Sequence, residues 1–188
     1  IEPSSYDNKN FTFLIIGLIH PNKGQYEAVK AFHVINKNFP NSKLIIVGKG
    51  RRLYAKKIKK YIRDNGLSNK VDFLGYVDNP HEVYKTVDCL LMCSKSEGMG
   101  RVTIEAMIHG KPVIGYKGGA TPELIKHGEN GLIYGNQEEL SECMATLLNN
   151  RELVEEYGKA GREMASEFVT EISVAKEYAV FKEVINKN

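Results

Sequence analysis

The chain has 188 residues, of which 42% are hydrophobic and 26% are charged, and its formal net charge is +3. A chain of this length and apolar content can bury the core of one domain, so these figures exclude an intrinsically disordered protein. The longest stretch without a charge, 10–22, is too short and too polar to span a bilayer, which requires about 20 apolar residues. Because it begins Ile1-Glu2-Pro3, the chain is expected to be a processed or truncated form.

Charge and glycine are both distributed unevenly along the chain. Residues 1–136 carry 20 basic and 12 acidic side chains, a net charge of +8, whereas residues 137–188 carry 6 and 11, a net charge of −5. The basic part predicts an anionic ligand, while the small overall charge gives no argument for nucleic acid. Nine of the 17 glycines lie between Gly98 and Gly135, where the backbone is expected to turn tightly or to approach a ligand.

Six short apolar runs, most of them closed by a glycine, predict β-strands. The runs are Phe13–Ile16, Leu44–Val47, Val71–Leu74, Cys89–Cys93, Pro112–Ile114 and Gly131–Tyr134. They do not alternate apolar with polar residues, which is typical of strands that are buried on both faces.

Apolar residues at helical spacing predict helices between these strands. Such patterns follow Gly24, precede Gly66 and precede Gly110, and Thr121 is expected to be the N-cap of a further helix with Pro122 at its first position. Three terminal helices are predicted over 137–149, 151–167 and 171–187. Strands that alternate with helices predict right-handed crossovers, and therefore an α/β fold with a Rossmann-like, doubly wound parallel six-stranded sheet and helices on both faces.

The three cysteines, Cys89, Cys93 and Cys143, form no Cys-x-x-Cys pair. They are interpreted as buried thiols in a reducing compartment, in preference to a metal or redox site. The expected location of the protein is therefore the cytoplasm.

Ligands of doubly wound sheets bind at the carboxyl ends of the strands, where two known glycine motifs can be tested. In the first loop Lys23 precedes Gly24 and no hydroxyl residue follows, which excludes a P-loop. The segments that begin at Gly48 and Gly98 lack the third glycine of a dinucleotide fingerprint and come late in the chain. Nicotinamide and flavin binding are therefore not expected.

The segment from Ser94 to Met107 carries the most chemistry. It follows a predicted buried strand and places Gly98 and Gly100 at a helix start, where backbone N–H groups and the helix dipole favour an anion. Glu97 and Glu105 are eight residues apart, so they would lie about 80° apart around the helix. Carboxylates beside a phosphate site would repel the phosphate and are expected to bind hydroxyl groups. Phosphate flanked by hydroxyls describes a nucleotide sugar.

These motifs resemble the signature of the retaining family 4 glycosyltransferases. The resemblance extends from Phe11 to Phe168 and rests on these segments: Gly17…Lys23-Gly24, Phe73-Leu74-Gly75-Tyr76-Val77, Glu97-x7-Glu105, Ala106-Met107-x2-Gly110-Lys111-Pro112-Val113-Ile114, Gly118-Gly119-x3-Glu123-Leu124-Ile125 and Gly128-x2-Gly131-Leu132-Ile133. The resemblance implies a GT-B architecture of two Rossmann-like domains, of which this chain would be the C-terminal, donor-binding one. Residues 1–10 would then be a linker from a missing N-terminal domain, and residues 11–188 the nucleotide-sugar-binding domain.

The resemblance also implies roles for individual residues. Glu97 would contact the donor sugar, Glu105 would hold the ribose hydroxyls, and Lys23 would neutralise the diphosphate. Glu97 and Lys23 are the expected catalytic residues, and Gly17, in the same loop as Lys23, is a further expected donor-binding residue. Phosphate and sugar would be bound by backbone groups of the turn before the predicted helix, which consists of Gly98, Met99, Gly100 and Arg101. The base would be bordered by the loop after the third strand, which consists of Gly75, Tyr76 and Val77.

One position departs from the family pattern. The family usually has an arginine directly after the first glycine, as a second contact to the diphosphate, and this chain has Leu18 there. Our hypothesis is that Arg101, in the first turn of the following phosphate-facing helix, supplies the missing positive charge.

The expected reaction is transfer of a sugar, with retention, from a nucleotide diphosphate to a glycan or lipid-linked acceptor in polysaccharide or glycolipid biosynthesis. The sequence contains no Asp-x-Asp, so neither a metal held by paired aspartates nor another cofactor is expected. The fragment alone is expected not to catalyse transfer, because the acceptor half would be missing. Two alternatives remain open: a non-catalytic nucleotide-sugar-binding module, and a nucleotide-sugar epimerase of the same architecture.

Three further features have competing interpretations. The run from Arg51 to Arg63 carries seven basic residues and no acid, which is compatible with peripheral docking on anionic lipid, although a solvated helix face is favoured. His109 precedes Gly110 at a predicted helix end, where the helix dipole explains it without catalysis. His20, in the first loop, is a candidate for a phosphate contact, but a role outside the site is favoured.

Overall fold

The structure of the protein is a computed structural model that describes residues 10–167. The predicted helix over 171–187 lies outside the described residues, as does the linker predicted over residues 1–10, except for its last residue.

Six parallel strands form one sheet in the order β3-β2-β1-β4-β5-β6. Their bounds are β1 Phe11–Ile16, β2 Ser42–Val47, β3 Val71–Gly75, β4 Cys89–Met92, β5 Val113–Tyr116 and β6 Gly131–Tyr134. The order runs outward from β1 in one direction and outward from β4 in the other, so the sheet is doubly wound. The predicted fold class and all six predicted strands are confirmed.

Within residues 10–167, seven α-helices and one 3-10 helix connect or follow the strands. Their bounds are the 3-10 helix Pro21–Lys23, α1 Gln25–Asn36, α2 Arg52–Asp64, α3 Pro80–Lys85, α4 Arg101–Ile108, α5 Thr121–Leu124, α6 Gln137–Asn149 and α7 over 151–167.

The sheet separates two apolar layers. Successive side chains of β1 point to opposite faces, so Phe13 packs in one layer and Leu14 in the other. The first layer contains buried residues of α1, α2 and α6, and the second contains those of α3, α4 and α5. Helices cover both faces because most strands are apolar on both sides. The prediction of burial on both faces is wrong for β3, an edge strand on which Asp72 and Leu74 are exposed.

Two helix predictions need correction. The sequence pattern did not predict α3, although Asn79 and Pro80 supply a capping side chain and a proline for its first turn. Thr121 is not an N-cap: it is the first residue of α5, Ala120 holds the cap position, and no described residue hydrogen-bonds the buried Thr121 hydroxyl. The backbone N–H of Ala120 donates to the carbonyl oxygen of Glu97 at 2.8 Å, which starts the helix one residue early.

All three cysteines are free and buried, as predicted. Burial raises the pKa of the Cys93 thiol to about 12 and that of Cys143 to about 11, so both side chains behave as small apolar groups in the core.

Candidate functional site

The loops that follow β1 and β4 lie side by side at the carboxyl edge of the sheet. This is where the strand order reverses, the position at which doubly wound sheets bind their ligands. The backbone N–H of Lys95 donates to the carbonyl oxygen of Asn22 at 3.1 Å. Gly24 has a φ of 70°, and a Cβ at that position would lie 2.3 Å from the carbonyl oxygen of Cys93. Only glycine permits this close approach of the two loops.

This approach brings together the two predicted catalytic residues. Lys23 ends the 3-10 helix of the first loop, and its Nζ lies 2.7 Å from Oε2 of Glu97 in the loop after β4. The side chains are 34% and 17% exposed, so the ion pair is half-buried and only partly screened by solvent. A cation predicted for the diphosphate and a carboxylate predicted for the sugar thus meet directly.

His20 occupies the other end of the same 3-10 helix. Its Nδ1 accepts a hydrogen bond from the backbone N–H of Asn22 at 3.2 Å, so the ring acts as the N-cap. This gives His20 a local structural role, in line with the interpretation that placed it outside the site.

The turn that precedes α4 follows Glu97 directly in the chain and carries backbone N–H groups that have no capping side chain. Gly100 has a φ of 63° and is the N-cap residue of α4, with no side-chain hydrogen bond to the first turn. The N-terminus of α4 therefore offers N–H groups and the positive end of the helix dipole to an anion. Gly98 borders open space, and Met99 and Arg101 are exposed. No carboxylate within residues 10–167 lies within salt-bridge distance of Arg101, while Leu18 is exposed and uncharged.

Glu105 lies on α4 itself, a little more than one turn beyond the helix start. Its Oε2 accepts a hydrogen bond from the hydroxyl of Tyr84 at 3.0 Å. Tyr84 belongs to α3 and is completely buried. Burial and then the charge of Glu105 raise the pKa of Tyr84 far above its ordinary value, so this hydroxyl stays protonated and acts as the donor.

Sequence reasoning missed Tyr84. The available signal was the Asn79-Pro80 pair, which is typical of a helix start and would have placed Tyr84 on a short helix after the third strand. Nothing in the sequence pairs Tyr84 with Glu105, because 21 residues separate them and the contact depends on how α3 packs against α4.

Two histidines lie behind Tyr84. The ring of His109 stacks on that of Tyr84, with centroids 5.4 Å apart and planes 17° apart, and Nε2 of His109 lies 2.9 Å from Nδ1 of His81. His109 is the C-cap of α4, as its sequence position predicted. Burial, and then the charges of His81, Lys85, Lys111 and Arg162, lower the pKa of His109. The neutral ring is therefore the favoured form of His109 at neutral pH.

The loops after β2 and β3 extend this edge of the sheet. The backbone N–H of Gly17 donates to the Val47 carbonyl oxygen at 3.0 Å, and that of Gly48 donates to the Gly75 carbonyl oxygen at 2.7 Å. Tyr76 is exposed, with Nζ of Lys49 lying 5.1 Å from the centroid of its ring, and Val77 is half-buried. The residues predicted to border the base thus lie at the predicted edge, but no hydrogen bond or ring contact within residues 10–167 joins Tyr76 to the Lys23–Glu97 pair.

The site combines cations, a helix N-terminus and two carboxylates, which suits a ligand that carries both phosphates and hydroxyl groups. Among residues 10–167, no three histidine, cysteine or acidic side chains are grouped so that they could hold a metal ion.

A family model described as group 1 glycosyl transferases matches residues 2–164. The chain belongs to this family. A GDP-mannose-dependent phosphatidylinositol monomannoside mannosyltransferase from Mycobacterium tuberculosis is 30% identical over 163 residues, which cover 81% of this chain and 42% of that protein. The chain spans about half the length, or less, of the curated relatives that it matches.

Two solved structures share the fold of this chain. HepE from Anabaena, in complex with UDP, has a TM-score of 0.82 at 26% identity, over 92% of this chain and 49% of that one. The C-terminal domain of a group 1 glycosyl transferase from Francisella tularensis has a TM-score of 0.78 at 22% identity, over 88% of this chain and 94% of that one. The second likeness concerns the fold alone.

No helix within residues 10–167 is both long enough and apolar enough to cross a bilayer.

Proposed function

We propose that this domain binds the nucleotide-diphosphate sugar of a retaining glycosyltransferase, which transfers the sugar to a glycan or a lipid-linked acceptor. The observation that carries the proposal is the Lys23–Glu97 ion pair beside the N-terminus of α4. It is supported by HepE, which was solved with UDP, and by the mycobacterial relative, whose name gives a GDP-mannose donor and a lipid acceptor. The pathway would be polysaccharide or glycolipid biosynthesis in the cytoplasm.

The diphosphate would lie at the N-terminus of α4. Lys23 faces this turn, and Arg101 belongs to the first turn of the helix, so two cations and the helix dipole would act on one pair of phosphates. These groups would be most effective as negative charge develops on the leaving diphosphate. This arrangement requires no metal ion and no cofactor.

The ion pair would reduce the electrostatic repulsion between Glu97 and the diphosphate of the donor. A bare carboxylate at Glu97 would repel the diphosphate, but the ammonium group of Lys23 compensates that charge at 2.7 Å. When the donor binds, Lys23 would turn to the diphosphate and Glu97 to the hydroxyls of the sugar. Retention would follow if the acceptor attacks the face from which the diphosphate departs, with the diphosphate as the base.

The nucleoside would occupy the part of the site deeper along α4. Glu105 would accept hydrogen bonds from the ribose hydroxyls while Tyr84 holds one of its oxygens in place. The loop of Gly75, Tyr76 and Val77 would border the base. Because the named relatives use both uridine and guanosine nucleotides, we leave the base of this donor open.

Donor binding can be tested by a thermal-shift screen of the chain with UDP, GDP and ADP sugars, followed by calorimetric titration of the best donor. The wild type is compared with Glu105→Gln, which keeps the shape of the side chain and removes its charge. Glu155→Gln, a change at an exposed glutamate of α7, is the matched control. We expect a shift with at least one donor that Glu105→Gln reduces and Glu155→Gln leaves unchanged. A chain that responds to none of the three nucleotide sugars would contradict the proposal.

Catalysis is tested separately from binding. We expect weak donor binding and no transfer by the isolated chain, and transfer once it is joined to an N-terminal acceptor-binding half. A non-catalytic module would bind donor without transfer or hydrolysis in either form. An epimerase would interconvert free nucleotide sugars with no acceptor present.

A further inference from the structure

The surface of α2 is strongly basic. Seven basic residues occur between positions 51 and 63, and all of them are exposed. They are Arg51, Arg52, Lys56, Lys57, Lys59, Lys60 and Arg63, and the first acidic residue after them is Asp64. Ile58 and Ile62 are the buried residues of this helix. The apolar side of α2 is therefore narrow, and most of its circumference presents positive charge to solvent.

Internal contacts account for only three of these cations. Nζ of Lys57 lies 4.3 Å from the ring centroid of Tyr26, Nζ of Lys59 lies 5.0 Å from that of Phe73, and Lys60 pairs with Asp64. The other four, Arg51, Arg52, Lys56 and Arg63, have no carboxylate within salt-bridge distance in the part of the chain that the structure describes. Packing of this domain gives no reason for their charge.

An apolar side chain stands among the unpaired cations. Leu53 is 82% exposed, the highest value among the exposed large hydrophobic residues of the described chain. It lies in the first turn of α2, next to Arg52 and three residues before Lys56. A large aliphatic group is unfavourable in water, but it suits a surface that is anionic outside and apolar beneath.

A concave region lies at the same end of α2. Its volume is about 540 Å³ and it is lined by Pro21, Arg51, Arg52, Leu53, Tyr54 and Lys57. Three cations and no carboxylate line this depression, so its chemistry matches a phosphate group attached to an apolar body.

This end of α2 is fixed to the candidate donor site. The backbone N–H of Arg51 donates to the carbonyl oxygen of Ile19 at 2.8 Å. The backbone N–H of Ile19 in turn donates to the carbonyl oxygen of Lys49 at 3.0 Å. Pro21 lines the depression and begins the 3-10 helix that ends at Lys23. A surface bound at Leu53 would therefore lie beside the loop that carries Lys23.

We propose that the N-terminal part of α2 docks on a bilayer of anionic phospholipid. Arg51, Arg52, Lys56 and Lys57 contact headgroup phosphates, and Leu53 enters the boundary of the acyl chains. This inference rests on the proposed function, which it deepens by holding the donor site at the surface where a lipid-linked acceptor is found. Each basic residue near such a surface contributes roughly a fivefold increase in binding.

The experiment measures co-sedimentation of the chain with vesicles of phosphatidylcholine alone and of phosphatidylcholine with phosphatidylglycerol. We expect binding only to the anionic vesicles, and release as the salt concentration rises. Arg52→Glu with Lys56→Glu should lower the partition coefficient more than tenfold, and Leu53→Ala should lower it several-fold. The matched control is Lys126→Glu with Lys159→Glu, which changes the net charge equally at two exposed lysines elsewhere and should retain most of the binding.

Equal binding to neutral and anionic vesicles, or equal losses in the α2 and control variants, would overturn the inference. So would self-association in lipid-free buffer that the α2 variants abolish, because the surface would then bind a second copy of the chain. Donor titration of every variant separates this result from the proposed function. Loss of vesicle binding with unchanged donor affinity would show that the substitutions affect docking through α2 and not the donor site. A chain that binds vesicles but no donor would contradict the glycosyltransferase proposal and leave the docking proposal intact.

Discussion

Glu97 and Glu105, the two carboxylates of the candidate site, are held by opposite kinds of partner. Glu97 stands on a loop and pairs with the charged, half-exposed Lys23, whereas Glu105 stands on α4 and accepts from the neutral, buried Tyr84. A charged partner compensates the carboxylate and can leave it when a phosphate arrives. A neutral partner fixes the direction of the carboxylate and keeps its negative charge for hydroxyl groups. Under the proposed function, this difference would give an adaptable end for the diphosphate and sugar and a preformed end for the nucleoside.

The largest effect is expected from Lys23→Ala. The change removes a cation from the diphosphate and also leaves Glu97 uncompensated beside it. A hydrogen bond to a charged group is worth about 2 kcal/mol, so donor affinity should fall roughly thirtyfold. Calorimetry with the nucleotide sugar checks this, with Lys126→Ala as the control for net charge. If both variants bound the donor equally, Lys23 would have no role at the diphosphate.

Glu97→Gln should have different effects on the affinity for the nucleotide sugar and on the affinity for the nucleoside diphosphate alone. Removing this carboxylate relieves its repulsion of the phosphates, so affinity for the bare nucleoside diphosphate should hold or increase. Affinity for the nucleotide sugar should fall by about fivefold, because one hydrogen bond to the sugar is weakened. Titrations with both ligands give the comparison; parallel losses for the two ligands would place Glu97 away from the sugar.

Tyr84→Phe tests the fixed end of the site. It removes one hydroxyl without changing the packed ring, and donor affinity should fall by about fivefold as Glu105 loses its donor. If the Tyr84 hydroxyl had only a structural role, Tyr84→Phe would lower donor affinity by the same factor whatever residue stands at position 105. We therefore expect Tyr84→Phe to have no further effect on affinity when Glu105 is already alanine, which cannot accept the hydroxyl, a test by double-mutant cycle.

Arg101→Ala should cost less than Lys23→Ala, because the guanidinium is exposed and screened by solvent. An exposed charge pair contributes up to about 1 kcal/mol, so donor affinity should fall at most about fivefold. The loss should shrink as the salt concentration rises. Unchanged affinity at low salt would mean that Arg101 does not replace the arginine absent at Leu18.

The smallest effect concerns pH and His109. Its pKa is lower in the folded chain than the ordinary value of about 6.5, so the unfolded chain binds more protons as pH falls. The contribution of His109 to stability is complete above that ordinary value and is lost as pH falls toward the lowered pKa. Urea unfolding between pH 5 and pH 8 should therefore have a shallower pH dependence in His109→Gln. An unchanged slope would assign the dependence to other groups.

Local patterns predicted most of the fold. Five of the six apolar runs are buried on both faces, a pattern that distinguishes parallel strands from half-exposed ones; the exception is β3, which lies at an edge of the sheet. The predicted bounds of α6 agree with the structure. The predictions were weakest where a short element depends on its neighbours. The helix α3 has six residues, too few for an apolar period, and Thr121 lost its expected cap position because Ala120 bonds to the loop of Glu97.

The sequence by itself determined which residue types could carry the chemistry and the edge of the sheet on which they lie. Glu97, Glu105 and the glycines at the start of α4 are local in sequence, so their spacing was sufficient to indicate a phosphate and hydroxyl ligand. Only the tertiary structure decided the partners of the two carboxylates. Lys23 is 74 residues from Glu97 and Tyr84 is 21 residues from Glu105, and both contacts depend on how separate loops and helices pack at one edge of the sheet.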